Sequence, residues 1–179
     1  MRNSISDGER LFQETRVPVF AWEGKCEQRR HSLIENPPQL KYLGQLLRIN
    51  NMVTLEHINE LHDRLGNMET LNLYLQALNA IGVEKFDSFI TDGHSDFFGK
   101  DGQKVVSPPA HETLTVANTG HREKFMEHLD RHLQGKTSYL EMSKGLAESG
   151  VAKWTFDTIC MAVTYYDQAG NEMLAEEVK

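Results

Sequence analysis

Residues 91 to 102, TDGHSDFFGKDG, set a histidine between two carboxylates. On one continuous strand Asp92, His94 and Asp96 project to the same side, because strand side chains alternate with a period of two. An imidazole and two carboxylates facing together suit a divalent cation, or a general base whose ring an aspartate orients. The same letters also spell a hairpin. Asp-Gly is a favoured tight turn, and His94 and Asp96 are then ordinary solvated side chains.

A second group is a histidine stripe. His121, His128 and His132 fall within about 40° on a helical wheel. His128 and His132 have the i, i+4 spacing of zinc-binding helices, but HLDRH lacks the glutamate that supplies the base in the metalloprotease form. The apolar face of the same helix centres near Leu129, roughly 90° away, so the stripe lies at its polar margin. His94, Asp96, His128 and His132 are therefore secondary metal candidates, and the default expectation is no metal and no cofactor. A third group is aromatic. Trp154, Tyr165 and Tyr166, with His132, are candidate ligand-binding residues that share a groove with Phe86, Phe97 and Phe98. Core packing is the simpler reading, since adjacent aromatics in a strand divide between its two faces. Cys160 has no neighbouring histidine in sequence to activate it. A glycine-rich phosphate loop, a G-x-S-x-G elbow and an H-E-x-x-H helix are all missing from the sequence.

The elements that must position these residues are legible from periodicity. Thr54 caps a helix whose apolar face is Leu55, Ile58, Leu61 and Leu65. Asn67 caps a second helix, with Leu71, Leu75 and Leu78 inside and Gly82 at its left-handed end. VEKFDSFIT alternates as a strand, Phe86, Ser88 and Ile90 on one face and Asp87, Phe89 and Thr91 on the other. Short strands follow at 95–99, 103–106 and 112–117, the last two separated by a Pro108-Pro109 turn. Phe125, Met126, Leu129 and Leu133 form the next helical face, closed by Gly135. Ser138 and Glu141 make a capping box for a helix ending at Gly150. VAKWTFDTI, AVTYYD and EMLAEEV read as strands, with Asp157 and Asp167 at turns.

An offset of 68 residues aligns the two halves. Leu61 meets Leu129, Leu78 meets Leu146, Gly82-Val83 meets Gly150-Val151, and Phe97-Phe98 meets Tyr165-Tyr166. The expected fold is therefore α+β: two pseudo-repeated ααβββ units, residues 54–118 and 122–179, forming a mainly antiparallel sheet with helices packed on it. The histidine and first aspartates of DGHSD face Cys160 to Thr164 in this register, so those five residues are peculiar to the first half.

A chain of 179 residues suits a single domain with a core that needs no staples. The net charge of −7 argues against a general nucleic-acid surface. Residues 1–51 hold eight Lys/Arg and six Asp/Glu, and the remainder hold eleven and twenty, which marks a boundary near Asn50-Asn51. Residues 1–51 are either an N-terminal appendage, with a strand in VPVFAW and a helix in LKYLGQLLRI, or sequence upstream of a start at Met52. The domain proper is 52–179. Cys26 and Cys160 stand in no metal or redox spacing, which points to reduced thiols. No apolar run has the length of a membrane span, and the N-terminus lacks the apolar stretch of a signal peptide, so the expected setting is the cytoplasm.

SFITDGHSDFFGKDG, ETLTVAN, HLQGKTSY and SGVAKWTFDTICMAVTYYDQAGNE, four motifs in order over about 54–179, resemble a family of small bacterial proteins of unknown function. Some members of that family are labelled phage envelope proteins. The matching positions are Asp92, Gly93, His94, Phe98, Gly99, Glu112, Thr113 and Leu114, then His132, Gly135, Thr137 and Tyr139. Gly150, Val151, Trp154, Asp157, Tyr165, Tyr166, Asp167 and Gly170 complete them. The resemblance implies a compact domain encoded in bacteria or prophages, and no established reaction. The leading functional expectation is a non-catalytic cytoplasmic domain that binds an unknown protein or small molecule, with neither nucleic acid nor membrane as partner. The alternative is a hydrolase or metal-dependent enzyme built on Asp92, His94 and Asp96.

Overall fold

A computed structural model describes residues 26–29, 52–100 and 102–179. The strand expected in VPVFAW, the helix expected in LKYLGQLLRI and the boundary near Asn50-Asn51 lie outside the described residues. From residue 52 onward the order is α1 (Leu55–Leu65), α2 (Leu71–Ala80), β1 (Val83–Phe89), β2 (Ser95–Gly99), β3 (Lys104–Val106), α3 (Arg122–Leu133), α4 (Tyr139–Glu148), β4 (Val151–Asp157), β5 (Ala162–Asp167) and β6 (Glu172–Glu177). Residues 26–29 are also helical.

Local chemistry sets most of these boundaries. The Thr54 hydroxyl accepts from the His57 amide at 3.3 Å, satisfying a donor that the first turn of α1 leaves free. At the start of α4 the Ser138 hydroxyl accepts from the Glu141 amide while the Glu141 carboxylate accepts from the Ser138 amide, the reciprocal arrangement expected from the sequence. Asn67 corrects one expectation. Its Oδ1 accepts from the Glu69 and Thr70 amides, so it closes a separate turn, and α2 opens only at Leu71.

The strands form one sheet in the order β3-β2-β1-β4-β5-β6, and every pairing is antiparallel. The mixed helix and antiparallel-sheet class is thus as expected. Opposite residues across the ladder define two rows on the face covered by the helices. One runs Val105, Phe97, Phe86, Phe156, Val163, Glu176; the other runs Ser95, Ser88, Trp154, Tyr165, Leu174. The core sits on this face, where Leu75, Leu78, Phe125, Leu146, Val83 and Val151 are fully buried. On the other face Asp87 accepts from Lys153 Nζ and from the Thr155 hydroxyl, each at 2.7 Å, and Asp96 pairs with Lys104 at 2.8 Å.

Two further expectations are corrected. Residues 112–117 form no strand; the Leu114 amide donates to the Thr91 carbonyl and the Ala117 amide to Ala147, so this segment is spent tying the β1–β2 turn to α4. Cys26 and Cys160 are bonded to each other, not free, with Cα atoms 4.7 Å apart. They are 134 positions apart in sequence, so spacing alone carried no sign of the pair. Nearby, Arg29 donates to the Cys160 carbonyl and to Glu177, each at 2.9 Å, which seats residues 26–29 against the end of β5 and β6. Among the described residues no helix is long and apolar enough to cross a membrane.

Candidate functional site: a cavity between helices and sheet

The helix-covered face of the sheet is not fully filled. Between it and the helices lies a cavity of about 880 Å³, within the range of small-molecule sites. Its sheet wall is Phe97, Phe86, Phe156, Trp154 and Tyr165, with Ser88 and Ser95 beside them. His62 and Tyr74 face it from the first helix pair, and His132, Leu133, Tyr139 and Met142 from the second. Phe86 lies 5.0 Å from Phe97 and 4.9 Å from Phe156, centroid to centroid, with planes inclined by 27° and 28°. Coplanar rings cannot approach so closely without overlap. The three rings therefore stand upright on neighbouring strands, spaced as the strands are, and turn their edges toward the helices. Burial pushes the Tyr74 phenol well above its ordinary pKa, so it is neutral at any physiological pH.

The sequence candidates distribute unevenly around this space. Trp154, Tyr165 and His132 line it. Tyr166 does not; strand alternation turns it to the opposite face, where the Lys153 ammonium sits 5.4 Å from its ring centroid. Phe97 and Phe98 divide in the same way, and the Lys85 ammonium lies 5.0 Å from the Phe98 ring. The His132 Nδ1 meets the Thr137 carbonyl at 3.1 Å, so that nitrogen carries the proton and Nε2 is the acceptor of the neutral ring. His128 packs over Gly145, where an added Cβ would stand 2.4 Å from its Nδ1, and His121 is exposed at the start of α3. The histidine stripe is thus split among three environments.

DGHSD is not one continuous strand. β1 ends at Phe89 and β2 begins at Ser95, with the chain turning between them. Gly93 takes φ +74°, and an added Cβ would stand 2.9 Å from Ala110 Cβ and from the His111 ring, so only glycine fits. His94 donates from Nδ1 to Asp92 Oδ1, and its ring stacks on Phe89 at 4.5 Å. Asp96 is engaged by Lys104 instead. Asp96 is therefore apart from the Asp92–His94 contact, and among the described residues no three His, Cys, Asp or Glu side chains are placed to hold a metal.

Sequence reasoning passed over several residues. Ser88 and Ser95 are cross-strand partners whose hydroxyls are 2.7 Å apart in the cavity wall. His111 donates from Nδ1 to the Glu112 carbonyl at 2.8 Å, and its Nε2 is buried with no partner among the described residues. The serine pair had a faint signal, the run Phe86-Ser88-Ile90 on one face. His111 had none.

Residues 59–177 match the family model described as "Protein of unknown function (DUF1398)". The chain belongs to the DUF1398 family. A comparison with curated proteins finds no match. The DUF1398 span opens within α1 and closes at the end of β6, so it contains the aromatic wall, the serine pair and the Asp92–His94 contact together.

The DUF1398 turn gives a pH prediction. The hydrogen bond from His94 holds the Asp92 carboxyl below its ordinary value of 3.8. A depressed folded-state pKa contributes stability above the unfolded value and loses it as the pH falls through the folded one. Urea midpoints of the wild type should therefore exceed those of Asp92→Asn near pH 7, and the gap should narrow below pH ~4. A gap that stays constant down to pH 2 would exclude the carboxylate as its source.

Proposed function

We propose that this protein is a binding domain for a small, largely apolar molecule held between the sheet and the helices, without catalysis of its own. One observation carries the reading: a cavity of about 880 Å³ walled by five aromatic side chains, in a layer where a protein of this size would otherwise be packed solid. The wall is rigid, because its rings are braced across β-strand pairs, and a rigid apolar site binds without first ordering itself. The competing reading, a hydrolase or metal-dependent enzyme, keeps one observation in its favour, the Asp92–His94 contact.

Finer features of the proposal rest on the sequence. The 68-residue register suggests that the two ααβββ halves descend from a duplication, and Val83 and Val151, which open β1 and β4, fall in that register. The motif resemblance supports a bacterial or prophage-encoded protein, and the sequence's lack of an apolar span or signal stretch motivates the cytoplasm as its setting. There the Cys26–Cys160 bond would be a reversible one.

Indane, a flat bicyclic hydrocarbon, is a suitable probe. Isothermal titration should show saturable one-to-one binding, and Leu133→Trp, which fills part of the cavity from α3, should weaken it at least tenfold with an unchanged circular dichroism spectrum. Saturable binding that Leu133→Trp leaves intact would remove the cavity from the proposal.

A further inference from the structure

We infer that the ligand carries an aromatic ring bearing a hydrogen-bond acceptor, a ketone or amide carbonyl, and that the Ser88–Ser95 pair fixes its orientation. This rests on the proposed binding role and specifies its chemistry. Ser88 is 5% exposed, and its hydroxyl lies 2.7 Å from that of Ser95, with both residues in the cavity wall. Two hydroxyls bring two O–H donors. Their mutual bond uses one of them, and no other acceptor for the second is found among the described residues. The backbone around the pair is already committed: the Ser95 amide donates to the Ser107 hydroxyl at 2.8 Å, and the Ser107 amide to the Ser95 carbonyl at 2.9 Å. The spare donor, on whichever serine accepts the mutual bond, thus lies beside apolar surface and can rotate to meet an oxygen that only accepts.

The rings next to it favour the same kind of ligand. Ser88 stands opposite Trp154 in the β1–β4 ladder and opposite Ser95 in the β1–β2 ladder, two positions from Phe86, so the donor lies in the row beside the phenylalanines, next to Phe86 and Phe97. The upright rings present edges, the positive part of an aromatic quadrupole, and such edges attract the π-face of a ligand ring or its electronegative atoms. A flat ring laid across Phe97, Phe86 and Phe156 would bring a substituent carbonyl to the hydroxyl pair. A saturated chain would satisfy neither feature.

Indane and 1-indanone differ by one CH₂ replaced with a carbonyl, which makes them a matched pair of probes. Removing both hydroxyls in Ser88→Ala/Ser95→Ala leaves neither serine's partner stranded, so the change should be tolerated by the fold. Titration calorimetry should then show 1-indanone weakened about fivefold to tenfold while indane is unchanged or slightly tighter. The single variant Ser95→Ala keeps the Ser88 donor and should retain most of the 1-indanone affinity, which also guards against a folding defect in the double variant. Equal loss for both probes, or no loss for 1-indanone, overturns the serine role while leaving the cavity as a binding site. Failure of the wild type to bind either probe overturns both proposals.

Discussion

Phe125→Ala should cost about 3–5 kcal/mol, the largest loss expected from any single truncation on the helix-covered face. Phe125 is fully buried in α3, and its ring lies 5.0 Å from Tyr165 at a tilt of 53°. Tyr165 in turn stands 6.1 Å from Trp154, so Phe125 is the prop behind two residues of the cavity wall. Truncation removes a phenyl ring from contact and opens a void that rigid strand side chains cannot close. In a domain of this size the loss should appear as a melting point lowered by roughly 6–20 °C in differential scanning calorimetry. Leu73→Ala, at a position 52% exposed on α2, should change stability by no more than about 0.5 kcal/mol. Similar losses at the two positions would mean that the α3–β5 contact is not a principal part of the core.

Gly150→Ala should be nearly as severe, at about 3 kcal/mol, for a reason that involves backbone alone. Gly150 joins α4 to β4 at φ +81°, a conformation that costs an L-residue roughly 1–2 kcal/mol. An added Cβ would also stand 2.5 Å from the Thr119 carbonyl oxygen and 2.9 Å from Gly120 Cα. That connection cannot move aside freely, because the Ala117 amide donates to Ala147 and the His121 amide to Ser149, both at 2.9 Å. Gly170 gives the comparison. It has φ +82° with open space where a Cβ would lie, so Gly170→Ala should carry the conformational cost only. Equal urea-melt losses for the two variants would show that the close approach at Thr119 relaxes without penalty.

Local signals were well written in the sequence. Capping residues, apolar helix faces and left-handed glycines lie within one or two turns of the features they specify, so Thr54, Ser138, Gly82 and Gly150 could be read one by one. Strand alternation likewise assigned Phe86 and Ser88 to one face and Asp87 to the other. Long-range partners were not legible. The fold alone brings Cys26 to Cys160 and sends Asp96 to Lys104. Residues 112–117 alternated like a strand, but a strand needs a free edge, and their amides were already committed to Thr91 and Ala147. The cavity was invisible for a related reason: its aromatic residues look like core, and only the distance between layers distinguishes a packed wall from an open one.

The seam of the sheet bears on assembly. β1 pairs with β4 through Asp87 opposite Thr155, while β3 and β6 lie at the outer edges. A chain ending just after residue 120 would keep three strands but leave β1 as a bare edge, with the upright rings of Phe86 and Phe97 open to water. Such a half would be driven to pair with a second copy of itself across that edge, rebuilding a six-stranded sheet as a two-fold dimer. In the whole chain β4 covers that edge, and the cavity wall carries a serine pair on β1 and β2 and a tryptophan on β4.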